Sequence, residues 1–416
     1  MIFVLLVVTV VALFHVYVWK RLVRDTTLPG RVRRAGGFVV LGLFVLTVGT
    51  VLGSRFVGAH VAQWFAWPGF LWFALLFYLV LTLAVLELPR LALRGWVRRG
   101  PLRATASTAP PEDMTTGGPD TATGEPDTAA AGRDTVGRRV FLARVSGAVA
   151  GAASVGLVGG GMVSALGAPE VSTVAVPLGR LDPALAGYRI AVVSDIHLGA
   201  LRGRSHTERI VRMINEAQPD LVAVVGDLVD GTVDELAGAA RPLRDLVAPD
   251  GAFFVTGNHE YYSGYEPWMA ELERLGVHPL RNERTTIGSG GVAFDLAGVN
   301  DVNGKSYSDG PDFDRALDGR DTSRPVILLA HQPVQVSDAV RHGVDLQLSG
   351  HTHGGQLYPF HYVVRLAQPA VSGLSKVDDT WLYVSRGAGF WGPPVRVGAP
   401  PEITMIELET PQRSRG

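Results

Sequence analysis

The sequence predicts a layered α/β domain over 169–416, preceded by a bundle of transmembrane helices. Three observations predict it. Three long apolar runs fall within the first hundred residues, short Val/Ile/Leu-rich runs alternate with charged amphipathic stretches from about residue 171, and Asp, Asn and His recur where five of those short runs end. The 416 residues carry 38 Lys+Arg against 39 Asp+Glu, which argues against a nucleic-acid binder held by bulk positive charge. With no cysteine, a disulfide scaffold, a thiolate nucleophile, an iron–sulfur cluster and a Cys-ligated zinc site are excluded.

Residues 1–19 contain no Asp, Glu, Lys or Arg, and about 20 such residues in a helix cross a hydrocarbon layer about 30 Å thick. Runs at 36–53 and 64–86 meet the same criterion, the third with Trp64, Trp67, Trp72 and Tyr78 in part as interfacial aromatics. The region 1–103 is therefore expected to hold three spans. Lys20, Arg21, Arg24, Arg31, Arg33 and Arg34 follow the first span, and Arg90, Arg94, Arg98, Arg99 and Arg103 follow the third. Only Arg55 lies between the second and third. Basic residues mark the cytoplasmic side, so the first and third of these segments face the cytoplasm. Residues 104–137, rich in Ala, Thr, Gly, Pro and Asp, read as a disordered cytoplasmic linker.

The next segment, 138–168, opens with Arg138-Arg139 and continues as a weakly apolar Gly/Ala/Ser stretch. It reads as a fourth span flanked by two arginines, or as an internal twin-arginine export segment. Both readings place 169–416 outside the cytoplasm, as part of a multi-pass cell-membrane protein. A third reading makes 145–168 a buried helix of a cytoplasmic domain. A cut after Ala165-Leu166-Gly167 would release the domain.

Buried strands are expected at 188–194, 221–225, 252–256, 292–298, 325–330, 345–349, 380–385 and 402–408, and helices at 205–217, 233–247, 265–275 and 334–342. The chemistry sits at the strand ends. The first is followed by Asp195 and His197, the second by Gly226, Asp227 and Asp230, and the third by Gly257, Asn258, His259 and Glu260. His331 follows 325–330, and Gly350, His351 and His353 follow 345–349. In β-like backbone, side chains at i and i+2 point the same way, so Asp195/His197 and His351/His353 are each expected to direct two ligands into one site. Gly226, Gly257 and Gly350 allow tight turns or close approach beside them. Mixed oxygen and nitrogen donors suit Mn²⁺, Fe²⁺ or Zn²⁺, and Asp227 is the natural bridge between two ions.

These five blocks, D-x-H, G-D-x-x-D, G-N-H-E, a lone His and G-H-x-H, resemble those of the calcineurin-like metallophosphoesterase superfamily over about 188–409. The resemblance implies a four-layer α/β/β/α sandwich and two divalent metal ions. One ion would be held by Asp195, His197 and His353, the other by Asn258, His331 and His351, with Asp227 bridging. His259 would act near the leaving group or stabilise the transition state, and Asp230 would orient it. Two such cations lower the pKa of a shared water and stabilise charge on phosphoryl oxygens, giving phosphoester hydrolysis without a covalent intermediate. Ser194 lies in no nucleophile motif.

Gly354-Gly355-Gln356, Ser385-Arg386-Gly387 and Trp391-Gly392-Pro393-Pro394 resemble the bacterial, often membrane-attached branch, some members of which cleave diester or pyrophosphate bonds in lipid-linked substrates. The expected function is accordingly a membrane-anchored phosphodiesterase or pyrophosphatase acting on lipid-linked or envelope phosphoesters. The alternatives are a protein or nucleotide phosphomonoesterase of the same fold and a catalytically silent membrane sensor or scaffold. Arg202, Arg204 and Arg386 are candidates for binding a non-transferred phosphate. His206, His278, His342 and His361 read as structural or surface residues. Asn300-Asp301 departs from the paired acidic residues that related sequences often carry there.

Overall fold

The computed structural model describes residues 2–53, 57, 59–95, 128–289 and 291–411. It divides into two units, 1–45 with 75–156 and 46–74 with 157–416. Four long helices come first: α1 (Ile2–Val18), α2 (Arg31–Gly53), α3 (Ala59–Ala92) and α4 (Thr128–Leu166). Among the described residues four stretches are long and apolar enough to cross a membrane: Leu5–Arg24, which runs from α1 into a π-helical turn at Trp19–Arg24, and Arg31–Gly53, Val61–Ala92 and Gly137–Leu166 within the other three helices. The expected linker lies outside the described residues up to 127. From Thr128, where the sequence reads Thr-Ala-Ala-Ala, the chain is already in α4.

Within the first unit, charged residues near the ends of three helices converge. Arg21, just past α1, donates to Asp25 (2.9 Å) and Glu87 of α3 (2.7 Å), while Arg90 and Arg139 approach Asp25 at 3.5 and 3.7 Å. Asp25 and Glu87 thus gather basic residues from three segments that the charge pattern assigns to one side.

In the second unit the end of α4 packs on the chain at 395–397. A Cβ at Gly161 would lie 2.5 Å from Val395 and 2.8 Å from Val397, and the Gly161 carbonyl accepts the Arg396 N–H at 2.9 Å. Arg209 donates to the carbonyls of Leu166 and Gly167, satisfying acceptors that a helix C-terminus leaves unpaired.

The remainder of this unit is built on two six-stranded mixed sheets. One has the order β1 (Glu170–Pro177), β12 (Glu402–Glu409), β2 (Arg189–Val193), β3 (Leu221–Val225), β4 (Ala252–Val255), β5 (Val277–Pro279). The other runs β10 (Gly373–Val377), β11 (Thr380–Val384), β9 (Leu346–Ser349), β8 (Val326–Leu329), β7 (Val292–Gly298), β6 (Glu283–Ser289). Strands β2 to β5 are parallel, as are β7, β8, β9 and β11.

Alternation along the strands sorts side chains between layers. Ile190, Val192, Ala223 and Val225 meet Leu296, Ile327, Leu329 and Leu348 in a core between the sheets. Ala191, Val193, Val222 and Val224 face outward onto α5 (Arg204–Ala217), α6 (Val233–Ala240) and, past the short α7 (Asn258–Ser263), α8 (Tyr265–Arg274). Ala297, Val326 and Leu328 pack under α9 (Phe313–Leu317) and α10 (Val336–Arg341). The result is the α/β/β/α sandwich, with the C-terminal ends of β2, β3, β4, β8 and β9 each followed by one of the sequence blocks.

Candidate metal centre

The loops after β2, β3, β4, β8 and β9 gather Asp195, His197 and His353 in one donor cluster and Asp227, His331 and His351 in another, with His197, Asp230 and His259 forming a third group beside them. In the first, His197 Nε2 lies 3.1 Å from His353 Nε2, and His353 Nε2 lies 3.3 Å from Asp195 Oδ1. In the second, Asp227 Oδ2 lies 3.2 Å from His331 Nε2, with His351 in the same group. The same Asp227 oxygen is 3.8 Å from His197 Nε2, so one carboxylate faces both donor sets.

The backbone that aims these groups differs from the extended stretch expected from i, i+2 spacing. Asp195, His197, Asp227, His351 and His353 all have left-handed φ angles, from 50° to 70°. The strands have ended by Val193 and Ser349, and the side chains converge because each loop curls through conformations disfavoured for residues with a Cβ. Strain of this kind persists where the surroundings hold it, typically at functional sites. Gly226, at φ 75°, is the glycine that must be one: a Cβ there would also lie 2.6 Å from the His331 ring.

Hydrogen bonds fix the ring orientations. His331 Nδ1 meets the Val225 carbonyl at 2.8 Å, which turns Nε2 toward Asp227. Asp230 Oδ1 receives both His197 Nδ1 (3.0 Å) and His259 Nδ1 (2.6 Å), leaving each Nε2 to point away from it. Asp230 therefore orients a candidate ligand as well as His259, the half of its role that the sequence does not reveal.

The donor set fits cations. Asn258 Oδ1 is buried without a hydrogen-bond partner, and a buried polar atom of this kind is costly unless something satisfies it. In the first cluster His353 Nε2 lies 3.1 and 3.3 Å from its two partners, edges that suit an ion about 2.0–2.2 Å from each, while His197 Nε2 and Asp195 Oδ1 stand 4.0 Å apart. Burial pushes His351 down to about 3, with His331 adding to the effect, and holds His353 well below its usual range, so both are neutral imidazoles ready to donate a lone pair. Burial opposes charge on His259 too, but Asp227 and Asp230 outweigh it and lift that imidazole to about 9.

Glu260 holds the loops in register. Its Oε2 accepts the N–H groups of Gly257 (2.6 Å) and Asp227 (3.0 Å), and its Oε1 those of Leu228 (2.8 Å) and Val229 (3.3 Å). Burial, then the neighbouring Asp227, push its carboxyl up to about 7 while the backbone donors pull it down. In Glu260→Gln the amide NH₂ must face one of the two N–H pairs. Two buried donors lose their acceptor, so unfolding free energy should drop by about 2–6 kcal/mol, read as a lower midpoint in chemical denaturation of the detergent-solubilised chain.

The three arginines proposed for phosphate are otherwise engaged. Arg202 is buried, donates to the carbonyls of Ile196 and Phe390 and lies 3.3 Å over the Phe390 ring. Arg204 pairs with Glu208, and Arg386 with Glu402 and Glu170. Each had a carboxylate, carbonyl or aromatic partner distant in sequence or one helical turn away, invisible to a motif reading. Arg396, not singled out by sequence, is fully buried and lies 3.1 Å from His353 Nδ1 while donating to the carbonyls of Gly389 and Ala399. Asp301 stands behind His331, accepting from Gln332 Nε2 at 3.0 Å. His342 is structural, bonded to Asp314 and to the Asp338 carbonyl.

Comparison with known proteins agrees with this geometry. Residues 188–355 match the calcineurin-like phosphoesterase family model. A Bos taurus "transmembrane protein with metallophosphoesterase domain" is 40% identical over 262 residues, 60% of this chain and 59% of that protein. A Helicobacter pylori (strain J99) "uncharacterized metallophosphoesterase" is 40% identical over 251 residues, covering 60% of this chain and 66% of the relative. The chain thus matches less than two thirds of the length of either. An Aquifex aeolicus "uncharacterized metallophosphoesterase" is 36% identical over 225 residues, 53% of this chain and 85% of that one. With five motif blocks converging on one rim and relatives of this identity and coverage, the chain belongs to the calcineurin-like metallophosphoesterases.

Proposed function

We propose that this chain is a binuclear-metal-dependent phosphohydrolase, a phosphodiesterase or pyrophosphatase acting on lipid-linked or envelope phosphoesters. The observation that carries the reading is the pair of donor clusters meeting at Asp227. Asp195, His197 and His353 would hold one ion and Asn258, His331 and His351 the other, with Asp227 shared; Mn²⁺, Fe²⁺ and Zn²⁺ all suit such ligands. Bound there, a cation pair supplies Lewis acidity and an activated water. Asp230 sets the tautomer of His259, whose free Nε2 is placed to hand a proton to a leaving oxygen. Ser194 is not placed as a covalent nucleophile: its Oγ is spent on Asp195 and the Val225 carbonyl.

The protein is proposed to be multi-pass, with 169–416 outside the cytoplasm. The convergence of Arg21, Arg90 and Arg139 on Asp25 and Glu87 supports one common side for these basic segments.

The test is hydrolysis of bis(p-nitrophenyl) phosphate and p-nitrophenyl phosphate by the full chain in detergent, after chelation and again after adding Mn²⁺, Fe²⁺ or Zn²⁺. Metal-restored turnover with the diester favoured is expected. Preference for the monoester would replace the diesterase reading by the phosphomonoesterase, and no turnover with any of the ions in a folded protein would sink the hydrolase altogether.

A further inference from the structure

Among the described residues of 169–416, five exposed large apolar side chains fall within nine positions: Tyr358, Phe360, Tyr362, Val363 and Leu366. Elsewhere in this range they stand singly along the chain. Leu366 is 87% exposed and Tyr362 63%. An apolar cluster of this kind, open on a folded domain, marks a surface that meets something else. It is also held in shape. The Tyr358 N–H donates to the Val397 carbonyl (3.0 Å) and the Val397 N–H to that of Gln356 (2.8 Å). The chain then turns through the short helix α11 (His361–Val364) and is tied again at Gln368, whose Oε1 accepts the Val334 N–H at 3.0 Å. Between these ties His361 is buried, its ring stacked on Tyr358 with centroids 3.6 Å apart. The outward side chains are thus presented by an anchored segment, with Tyr362 and Leu366 one helical turn apart on a single face.

Position and composition name the occupant. The 395–397 backbone that holds Tyr358 packs on Gly161 of α4, which at about 1.5 Å per residue lies about 8 Å before the end of the Gly137–Leu166 stretch. At Gly392, in the same loop, the Cβ position lies 3.5 Å from the Phe70 ring of α3, which lines the wall of the cleft beside the metal rim. The α3 and α4 stretches are 32 and 30 residues long, more than the about 20 that hydrocarbon requires, so their ends stand in the headgroup boundary. The patch is tethered at that level. Its chemistry suits the same place: residues 351–377 contain no Asp or Glu, and the patch combines Tyr, Phe and aliphatic side chains with the exposed Arg365, a mixture that favours the water–lipid boundary. We infer that the 358–366 patch rests on the surface of the bilayer that α3 and α4 cross, a third and monotopic contact beside the two spans. This rests on the proposed crossing by those helices and gives the catalytic domain's own surface a role. Attachments as close together as 392 and 395–397 form a hinge, and the patch stops the metal rim from rocking about it.

The chain has no cysteine, so one introduced thiol at a time can carry a nitrobenzoxadiazole dye. Three labelled full chains are compared: Leu366→Cys, Val155→Cys on α4, and Val247→Cys, a single exposed apolar residue before β4 at the end of the sheet opposite the rim. Each is placed one chain per phosphatidylcholine nanodisc, with or without phosphatidylcholine spin-labelled along its acyl chains. A dye lying about 5–10 Å into the headgroup and acyl boundary meets that quencher, so the Leu366 dye should lose about half or more of its emission. The Val247 dye should lose none. A quenched Val155 dye with Leu366 at the Val247 level overturns the patch and leaves the spans standing. A Leu366 dye shifted to the blue yet unquenched lies against protein, which overturns the patch too. Adding Phe360→Asp and Tyr362→Asp to the Leu366→Cys chain should return it to the Val247 level; quenching that survives belongs to the dye, and the patch is then wrong. An unquenched Val155 dye counts instead against the crossing on which the patch rests.

Discussion

Asp227→Ala should lose at least about 10³-fold in kcat/KM toward bis(p-nitrophenyl) phosphate, equivalent to about 4 kcal/mol of barrier, and should retain fewer than two bound ions. Among the described residues no other carboxylate belongs to the cluster with His331 and His351, and the Asp227 Oδ2 also faces His197 at 3.8 Å. Removing it takes the shared anion from between two sets of imidazoles and leaves His331 without its counter-charge. Its second oxygen accepts the His259 N–H at 2.9 Å, so the first turn of α7 loses an acceptor too. Asp227→Asn separates charge from shape: it keeps a donor oxygen of the same size and should fall between the native protein and Ala in metal content. The checks are ion counting by mass spectrometry beside activity. An Ala variant with two tightly bound ions and more than a tenth of native activity would remove Asp227 from the centre of the site.

The strands legible in the sequence were those buried on both faces. All eight apolar runs appear as strands, and the four that were not foreseen, β1, β5, β6 and β10, are the outer strands of the two sheets. Edge strands need to bury only one face, so segments such as Glu283–Ser289 and Gly373–Val377 carry Thr, Ser, Arg and Lys and lack the apolar signature. The motif residues were legible for a similar reason, since their types are set by the chemistry they offer. What supports them was not. Glu260 belongs to a recognisable string, but its grip on the β3 loop exists only once β3 and β4 lie side by side. Arg396 reaches His353 across 43 positions of sequence, and α3 enters the cleft wall from more than a hundred residues upstream of the first motif. Even the geometry of the D-x-H and H-x-H pairs was reached by a different route from the one their spacing suggested, because left-handed residues turn the loops at that point.

A second large effect is expected at His259, of a different kind. His259→Gln should keep both ions, because the ring is not among the proposed ligands; it bonds to Asp230 and packs edge-to-face on His197, ring centroids 4.7 Å apart, which Asp230 still orients. Its loss should fall on the chemical step: kcat lower by about 10²–10⁴ for diesters with an alkoxide leaving group, where a proton must be supplied. With p-nitrophenolate, which departs without one, the decrease should be much smaller. The pH profile carries the same signature. In the native enzyme the rate falls on the alkaline side as His259 loses its proton, at a pH below the value of about 9 that Asp227 and Asp230 impose against burial, since bound cations repel that proton; in His259→Gln this limb disappears. The stability sign runs in parallel in the metal-free chain. The folded-state pKa is raised above the unfolded 6.5, so the imidazolium's contribution is complete below about pH 6.5 and fades as pH rises through about 9. Native and Gln proteins should therefore diverge most in acid-side unfolding midpoints and converge above pH 9. Equal losses for both leaving groups, or an unchanged alkaline limb, would make His259 a structural residue and leave the proton to solvent.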